Sequence, residues 1–217
     1  MRLLFSIEGN IGSGKSTILH ILKNTFKNIG EYTVVYLPEP IHVWNTIKDS
    51  SGVTILEKYY ADQHRYAFSF QMMAYITRLS QLREALVKDN IIVITERCLF
   101  TDYHIFAKML YDDGKIEEIE YSIYLKWFNE FISDQPVTNY IYIKTDPNIC
   151  IERIFKRDRK GEDSIPLSYL ANCHKYHEDW LNKEENILIL DGNQPSEKYV
   201  TKIIDHITYV TPLIHFV

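Results

Sequence analysis

The octapeptide Gly9-Asn10-Ile11-Gly12-Ser13-Gly14-Lys15-Ser16 constrains this chain more than any other stretch. It matches G-x-x-x-x-G-K-[ST] in full, the pattern of a loop that wraps a phosphate. The glycines let backbone N–H groups turn inward, and a helix starting at the loop adds partial positive charge at its N-terminus. Lys15 supplies a full charge, and the Ser16 hydroxyl can ligate a divalent cation. The nucleotide-contacting stretch expected on this basis runs from Gly9 to Thr17. The context is the required one. Leu3 to Ile7 is an apolar run that stops at Gly9 and reads as a buried strand. Ser16 to Asn28 follows with apolar residues at helical spacing (Ile18, Leu19, Ile21, Leu22, Phe26) and a stop at Gly30.

The same alternation continues to the end of the chain. Strands are expected at Thr33–Leu37, Ile91–Thr95, Tyr140–Lys144 and Ile187–Leu190. Helices are expected at 61–88, which lacks Gly and Pro, and at 99–111, 116–132, from Pro147, 167–181 and 197–207. Asp158 to Pro166 is charged and irregular. Strands buried on both faces and separated by helices require a parallel sheet covered on each side. The fold class is therefore α/β, with five parallel strands flanked by helices, and the 217 residues read as a single domain, 1–217. Ligands of such sheets bind outside the carboxyl ends of the strands.

Charge and cysteine usage narrow the partners. A net charge of −5, with acids and bases interspersed, argues against a polymeric nucleic acid, which demands a basic face. The three cysteines (Cys98, Cys150, Cys173) have neither metal-ligand spacing nor a disulfide framework, and read as buried free thiols in a reducing compartment. No apolar run reaches the ~20 residues needed to cross a bilayer, and the N-terminus lacks the marks of a targeting segment. A cytoplasmic protein without a membrane partner is expected.

Three further clusters sit where ligands bind. Glu39 lies between Pro38 and Pro40 at a strand end; a solvated turn glutamate and an active carboxylate both fit that position. Glu96 and Arg97 close the third strand, where nucleotide enzymes place a second carboxylate beside a metal. Arg153 and Arg157, four apart and so on one helical face, are followed by Arg159, as suits a lid (about 157–166) that closes over phosphates.

Taken together, IEGNIGSGKST at 7–17, PEP at 38–40 with Trp44 after it, FSFQ at 68–71, TERCLFTDYHIFA at 95–107, ERIFKRDRKGEDSIPLSYL at 152–170 and HKYHEDWL at 174–181 resemble the deoxyribonucleoside kinases. These include deoxycytidine, deoxyguanosine and mitochondrial thymidine kinases. The resemblance runs from Leu4 to about Asn193. It implies transfer of the γ-phosphoryl of ATP, with Mg²⁺, to the 5′-hydroxyl of a deoxynucleoside, in a homodimer built through helices such as 99–111 and 167–181. Residue by residue, it implies that Glu39 is the general base, with Arg97 beside the reacting hydroxyl. Lys15, Arg153, Arg157 and Arg159 would steady the phosphoryl group, and Ser16 and Glu96 would hold the metal. Gln71 would pair with the base, Tyr60 and Glu162 would hold the sugar 3′-hydroxyl, and Ile41, Trp44, Leu56, Phe70 and Phe106 would wall the pocket. Gln71, Ala74 and Arg78 share one helical face, and the resemblance sets Asp102 opposite Arg78. That charged pair marks the deoxycytidine and deoxyguanosine kinase branch, so cytosine and purine nucleosides are expected to be better substrates than thymidine. Gly192 to Ser196 departs from the family pattern and leaves the phosphoryl donor open. A thymidylate-type monophosphate kinase is the alternative; it should present arginines, not Glu39, to its anionic acceptor.

Overall fold

A computed structural model describes residues 1–133, 135–159, 162 and 165–211. The elements run β1 (Arg2–Glu8), α1 (Lys15–Thr25), β2 (Asn28–Ile29), β3 (Tyr32–Leu37), α2 (Ile41–Trp44), α3 (Ile55–Ala61), α4 (Gln63–Ala85) and β4 (Ile91–Glu96). Then follow α5 (Leu99–Thr101), a π-helical segment (Asp102–Ala107), α6 (Lys108–Asp112), α7 (Glu118–Ile132), β5 (Thr138–Lys144), α8 (Pro147–Arg157), α9 (Leu167–Leu181), β6 (Ile187–Asp191) and α10 (Val200–Val210). The sheet order is β2-β3-β4-β1-β5-β6, and every pairing is parallel except β2 with β3.

The sheet therefore has six strands where five were expected. The extra one is the two-residue β2, placed by the sequence reading at the end of the first helix. α1 stops at Thr25 because Phe26 turns extended, at φ −130°. The chain then reverses at Gly30, at φ +55°, so this glycine is the bend of a hairpin that pairs Asn28 with Thr33 and Ile29 with Tyr32. Phe26 and Ile29 are buried against α1 and the sheet, and that burial holds the short edge strand in place.

Alternation along the central strands fills both faces. Phe5, Ile7, Ile92, Ile94, Ile141 and Ile143 pack against α1 and α10 through Ile18, Leu22, Ile203 and Ile207. On the other face Leu4, Ile91 and Val93 meet Leu82 of α4, while Tyr140 and Tyr142 meet Trp180 and Leu181 of α9. The helix expected over 61–88 is interrupted at Asp62, which ends α3 and caps α4 by accepting from the Arg65 N–H at 3.2 Å. α3 has its own reciprocal cap between Thr54 and Glu57. The apolar faces around 99–111 and 167–181 are turned into the core. Among the described residues no helix is long and apolar enough to cross a membrane. The phosphate loop, Glu39 and Glu96-Arg97 all follow carboxyl ends of parallel strands, on one edge of the sheet.

Candidate active site

The loop between β1 and α1 is shaped by close approach. Gly9 and Gly12 have φ of +146° and +79°, and a Cβ on Gly12 would sit 2.4 Å from the Cys150 carbonyl oxygen of α8. One on Gly9 would meet the Ile143 carbonyl and the Ser13 hydroxyl at 2.7 Å. Gly9, Asn10 and Ser13 form the back of the loop. The Asn10 amide donates to the Leu170 carbonyl at 2.8 Å, tying the loop to α9. Ile11, Gly12, Gly14, Lys15, Ser16 and Thr17 line a cavity of about 580 Å³. The Lys15 ammonium is buried and donates to the Asn10 carbonyl at 2.7 Å. Burial, then the nearby Arg97 charge, lower its pKa to about 7 against the opposing pull of Glu96 and Glu39.

The Ser16 hydroxyl donates to Glu96 Oε1 at 2.7 Å. Among the described residues no cluster of three acidic, His or Cys ligands is found. One hydroxyl and one carboxylate on a cavity wall suit a hard divalent cation that takes its other ligands from phosphate and water.

Opposite the loop lies a four-membered charge network. Arg97 Nη1 donates to Glu39 Oε1 at 2.5 Å, and Arg78 Nη2 is 3.6 Å from the same oxygen. Arg78 also donates through Nε to Asp102 Oδ2 at 3.0 Å and through Nη1 to the Glu96 carbonyl at 2.8 Å. Burial pushes the Glu39 carboxyl up, but Arg97, Arg78 and Lys15 outweigh it and hold it at about 2. Burial raises Asp102 despite its arginine partner. Arg97 reaches Glu39 from a left-handed backbone, φ +64°, a conformation that costs a non-glycine residue about 1–2 kcal/mol. Its guanidinium lies 5.1 Å from the Phe106 ring centroid.

Beyond this network the cavity is apolar and flat-walled. Phe70 stacks on Tyr59 at 4.5 Å between ring centroids and meets Trp44 edge-on at 5.2 Å. Leu56, Tyr60, Ala74 and Phe106 complete the walls. Gln71 projects among them with its buried Oε1 lacking any hydrogen-bond partner, as a site waiting for a donor on a ligand would require. Ile41, expected in this wall, packs behind it in the cluster that holds Trp44.

Arg153 donates to the Ser13 carbonyl at 3.2 Å and lines the cavity. Arg157 and Arg159 both donate to the buried carboxylate of Glu162, Arg159 at 2.9 Å. Residues 160, 161, 163 and 164 of the expected lid lie outside the described residues. The sequence reading missed Tyr59 and Tyr169, whose hydroxyls lie 2.9 Å apart at the cavity wall. It also missed Lys156, Tyr199 and the lining stretch Gln194–Glu197. The last was flagged only as a departure from pattern. Gly192 ahead of it is a readable signal, since a Cβ there would strike the Thr145 hydroxyl at 2.1 Å.

A phosphate loop, a hydroxyl–carboxylate pair suited to a divalent cation and an aromatic slot on one cavity are the parts of a nucleotide-dependent phosphotransferase of small molecules. A family model described as deoxynucleoside kinase matches residues 5–212. The chain belongs to that family. It is 38% identical to a probable deoxycytidine kinase of Fowlpox virus, over 82% of this chain and 71% of that protein. It is 36% identical to deoxycytidine kinase 2 of Gallus gallus, over 87% and 82%. With the mitochondrial deoxyguanosine kinase of Xenopus laevis it shares 34% identity, over 82% and 73%. The protein is an ATP-dependent deoxynucleoside kinase of nucleotide salvage.

Proposed function

We propose that the acceptor is the 5′-hydroxyl of a deoxynucleoside carrying cytosine or a purine, with Glu39 as general base and Mg²⁺ as the metal. The observation that carries this reading is the position of an ionised Glu39 between Lys15 and the Gln71 slot. A carboxylate there repels a monophosphate acceptor, which speaks against the thymidylate-kinase alternative, and suits a neutral hydroxyl that must lose a proton. A carboxylate held near 2 is a weak base. It takes the proton only as the new O–P bond forms and the hydroxyl turns acidic, which suits a loose phosphoryl-transfer transition state. Lys15 and Arg153 face the transferring phosphoryl group, and Arg97 the reacting oxygen. Ser16 and Glu96 would hold Mg²⁺, which neutralises phosphate charge. Arg157 and Arg159 join the phosphate set once Glu162 is engaged by the sugar 3′-hydroxyl together with Tyr60.

Base preference follows from Gln71 and from the Arg78–Asp102 pair. A side-chain amide offers a planar donor and acceptor to a base edge. The charged pair suits exocyclic amino and carbonyl groups and crowds a 5-methyl group. The names of the relatives, deoxycytidine and deoxyguanosine kinases, point the same way. A radiolabelled phosphoryl-transfer panel over the four deoxynucleosides and thymidylate tests the reading. Labelled deoxycytidine or purine nucleotide is expected, and a preference for thymidine or thymidylate would overturn it.

A homodimer is part of the same reading, with a different surface from the one first expected. Ile119, Ile123 and Trp127 recur every four residues on α7 and are 72%, 42% and 45% exposed, with Ile76 of α4 exposed as well. Such a stripe on a water-facing helix suits a second copy of the chain. The three free, buried cysteines suit the reducing cytoplasm.

A further inference from the structure

We propose that Glu8 is a positioning residue that sets Arg97 relative to the phosphate loop, acting through the hydroxyl of Thr101. Glu8 is the last residue of β1, directly before Gly9, and is wholly buried. Among the described residues it makes no ion pair. Its donors are hydroxyls: Ser6 at 2.5 Å and Thr101 at 2.8 Å to each carboxylate oxygen. Thr101 in turn accepts the Cys98 N–H at 3.0 Å, capping the turn that leads from β4 into α5.

A carboxylate only accepts hydrogen bonds, so the Thr101 proton must point at Glu8. The threonine lone pair is thereby left for Cys98, and the turn cannot relax by rotating that hydroxyl. Arg97 sits on this turn with its left-handed backbone, and its own N–H donates to the Ile7 carbonyl at 3.1 Å. The last two residues of β1 thus hold the turn at Arg97 itself and, through Thr101, at Cys98 just after it. The guanidinium is delivered to Glu39 by the same strand that launches the phosphate loop. One buried acid therefore indexes the donor half of the cavity to the acceptor half. A buried carboxylate is costly even when hydroxyls donate to it, and a purely space-filling role would be served by an apolar residue of similar size.

The inference rests on the roles given above to Glu39 and Arg97. Its test uses Thr101→Val, which is isosteric and lacks the hydroxyl, Thr101→Ser, which restores it, and Glu8→Gln, each checked by thermal melting. Thr101→Val should lower kcat about 10- to 100-fold, as a misplaced reacting group does, with KM for ATP unchanged within about 3-fold. Thr101→Ser should recover most of the loss. In Thr101→Val, Glu39 loses its nearest cation while Arg78 and Lys15 remain, and burial then pushes its carboxyl up. The acid limb of kcat/KM should therefore move to higher pH than in the unaltered protein. Glu8→Gln should share these signatures more weakly, and it decides the matter if Thr101→Val does not fold. Normal kcat in both variants, or parallel loss of kcat and ATP binding with the acid limb unmoved, overturns the inference. Glu39→Gln serves as the control. If it keeps full activity the functional reading itself falls, whereas an inactive Glu39→Gln beside a normal Thr101→Val removes only the role of Glu8.

Discussion

At Lys15 the protein buries an ammonium group in a site built for phosphate, and the cost shows as a pKa lowered to about 7. Between that value and its ordinary 10.5 the folded chain binds fewer protons here than the unfolded one, so this group's contribution to stability rises with pH across that window. A bound triphosphate reverses the balance and draws the proton back. ATP binding near pH 8 should therefore take up a proton, seen as a calorimetric enthalpy that depends on the buffer, and Lys15→Ala should abolish that dependence. The same substitution should cut turnover by about 10²-fold or more, since a fixed charge on the transferring group is lost. Glu39 has a linkage of the same sign in a lower window. Its pKa falls from 4.5 to about 2, so the stability it lends is complete above pH 4.5 and is lost as pH falls through the lower value. Glu39→Gln keeps the shape and removes proton acceptance. It should lower kcat strongly while nucleoside affinity, read by thermal shift, changes little.

Among the elements, α4 and the helix after β4 are the ones that decide between substrates on the reading proposed above. The π-helical segment begins at Asp102, and such widened turns are frequent at functional sites. It brings Asp102 and Phe106 to the cavity, opposite Gln71, Ala74 and Arg78 of α4. Replacing Arg78 alone strands the buried Asp102 and should lose about 3–5 kcal/mol of stability in chemical denaturation, whereas replacing Asp102 alone leaves Arg78 its contacts with Glu39 and the Glu96 carbonyl and should cost less. The double change Arg78→Met with Asp102→Ala removes both charges, and it should keep most of the stability and shift kcat/KM toward thymidine. The α4 face was legible because spacings of three and four hold on any regular helix. The widened turn was not, since helical periodicity over 99–111 does not distinguish i→i+4 from i→i+5 bonding. β2 escaped because two residues carry no period, and Gly30 serves equally as a helix stop or a hairpin bend. Tyr59 and Tyr169 look like core aromatics in sequence; only the tertiary fold reveals that their stacked and paired rings have one open side. The phosphate loop, by contrast, spells out its geometry locally, in glycines that must admit the Ile143 and Cys150 carbonyls.

On the scale of the whole molecule, the apolar stripe of α7 is a surface that suits a second copy of the chain. Trp127→Glu with Ile123→Glu should convert a dimer to a monomer in sedimentation without disturbing the core, because both side chains are substantially exposed. The chain has three tryptophans, and the fold distributes them over three environments. Trp44 is buried in the acceptor wall against Phe70, with its indole N–H on Thr77. Trp180 is buried beside His104 and Tyr140 on the opposite side of the π-helical segment. Trp127 stands on the α7 stripe. The protein thus carries its own set of optical reporters. On the proposed site and dimer, emission quenched by nucleoside would belong to Trp44, a blue shift that grows with protein concentration to Trp127, and a signal indifferent to both to Trp180. The proposed acceptor binding and self-association would then be followed in one cuvette without attaching a label.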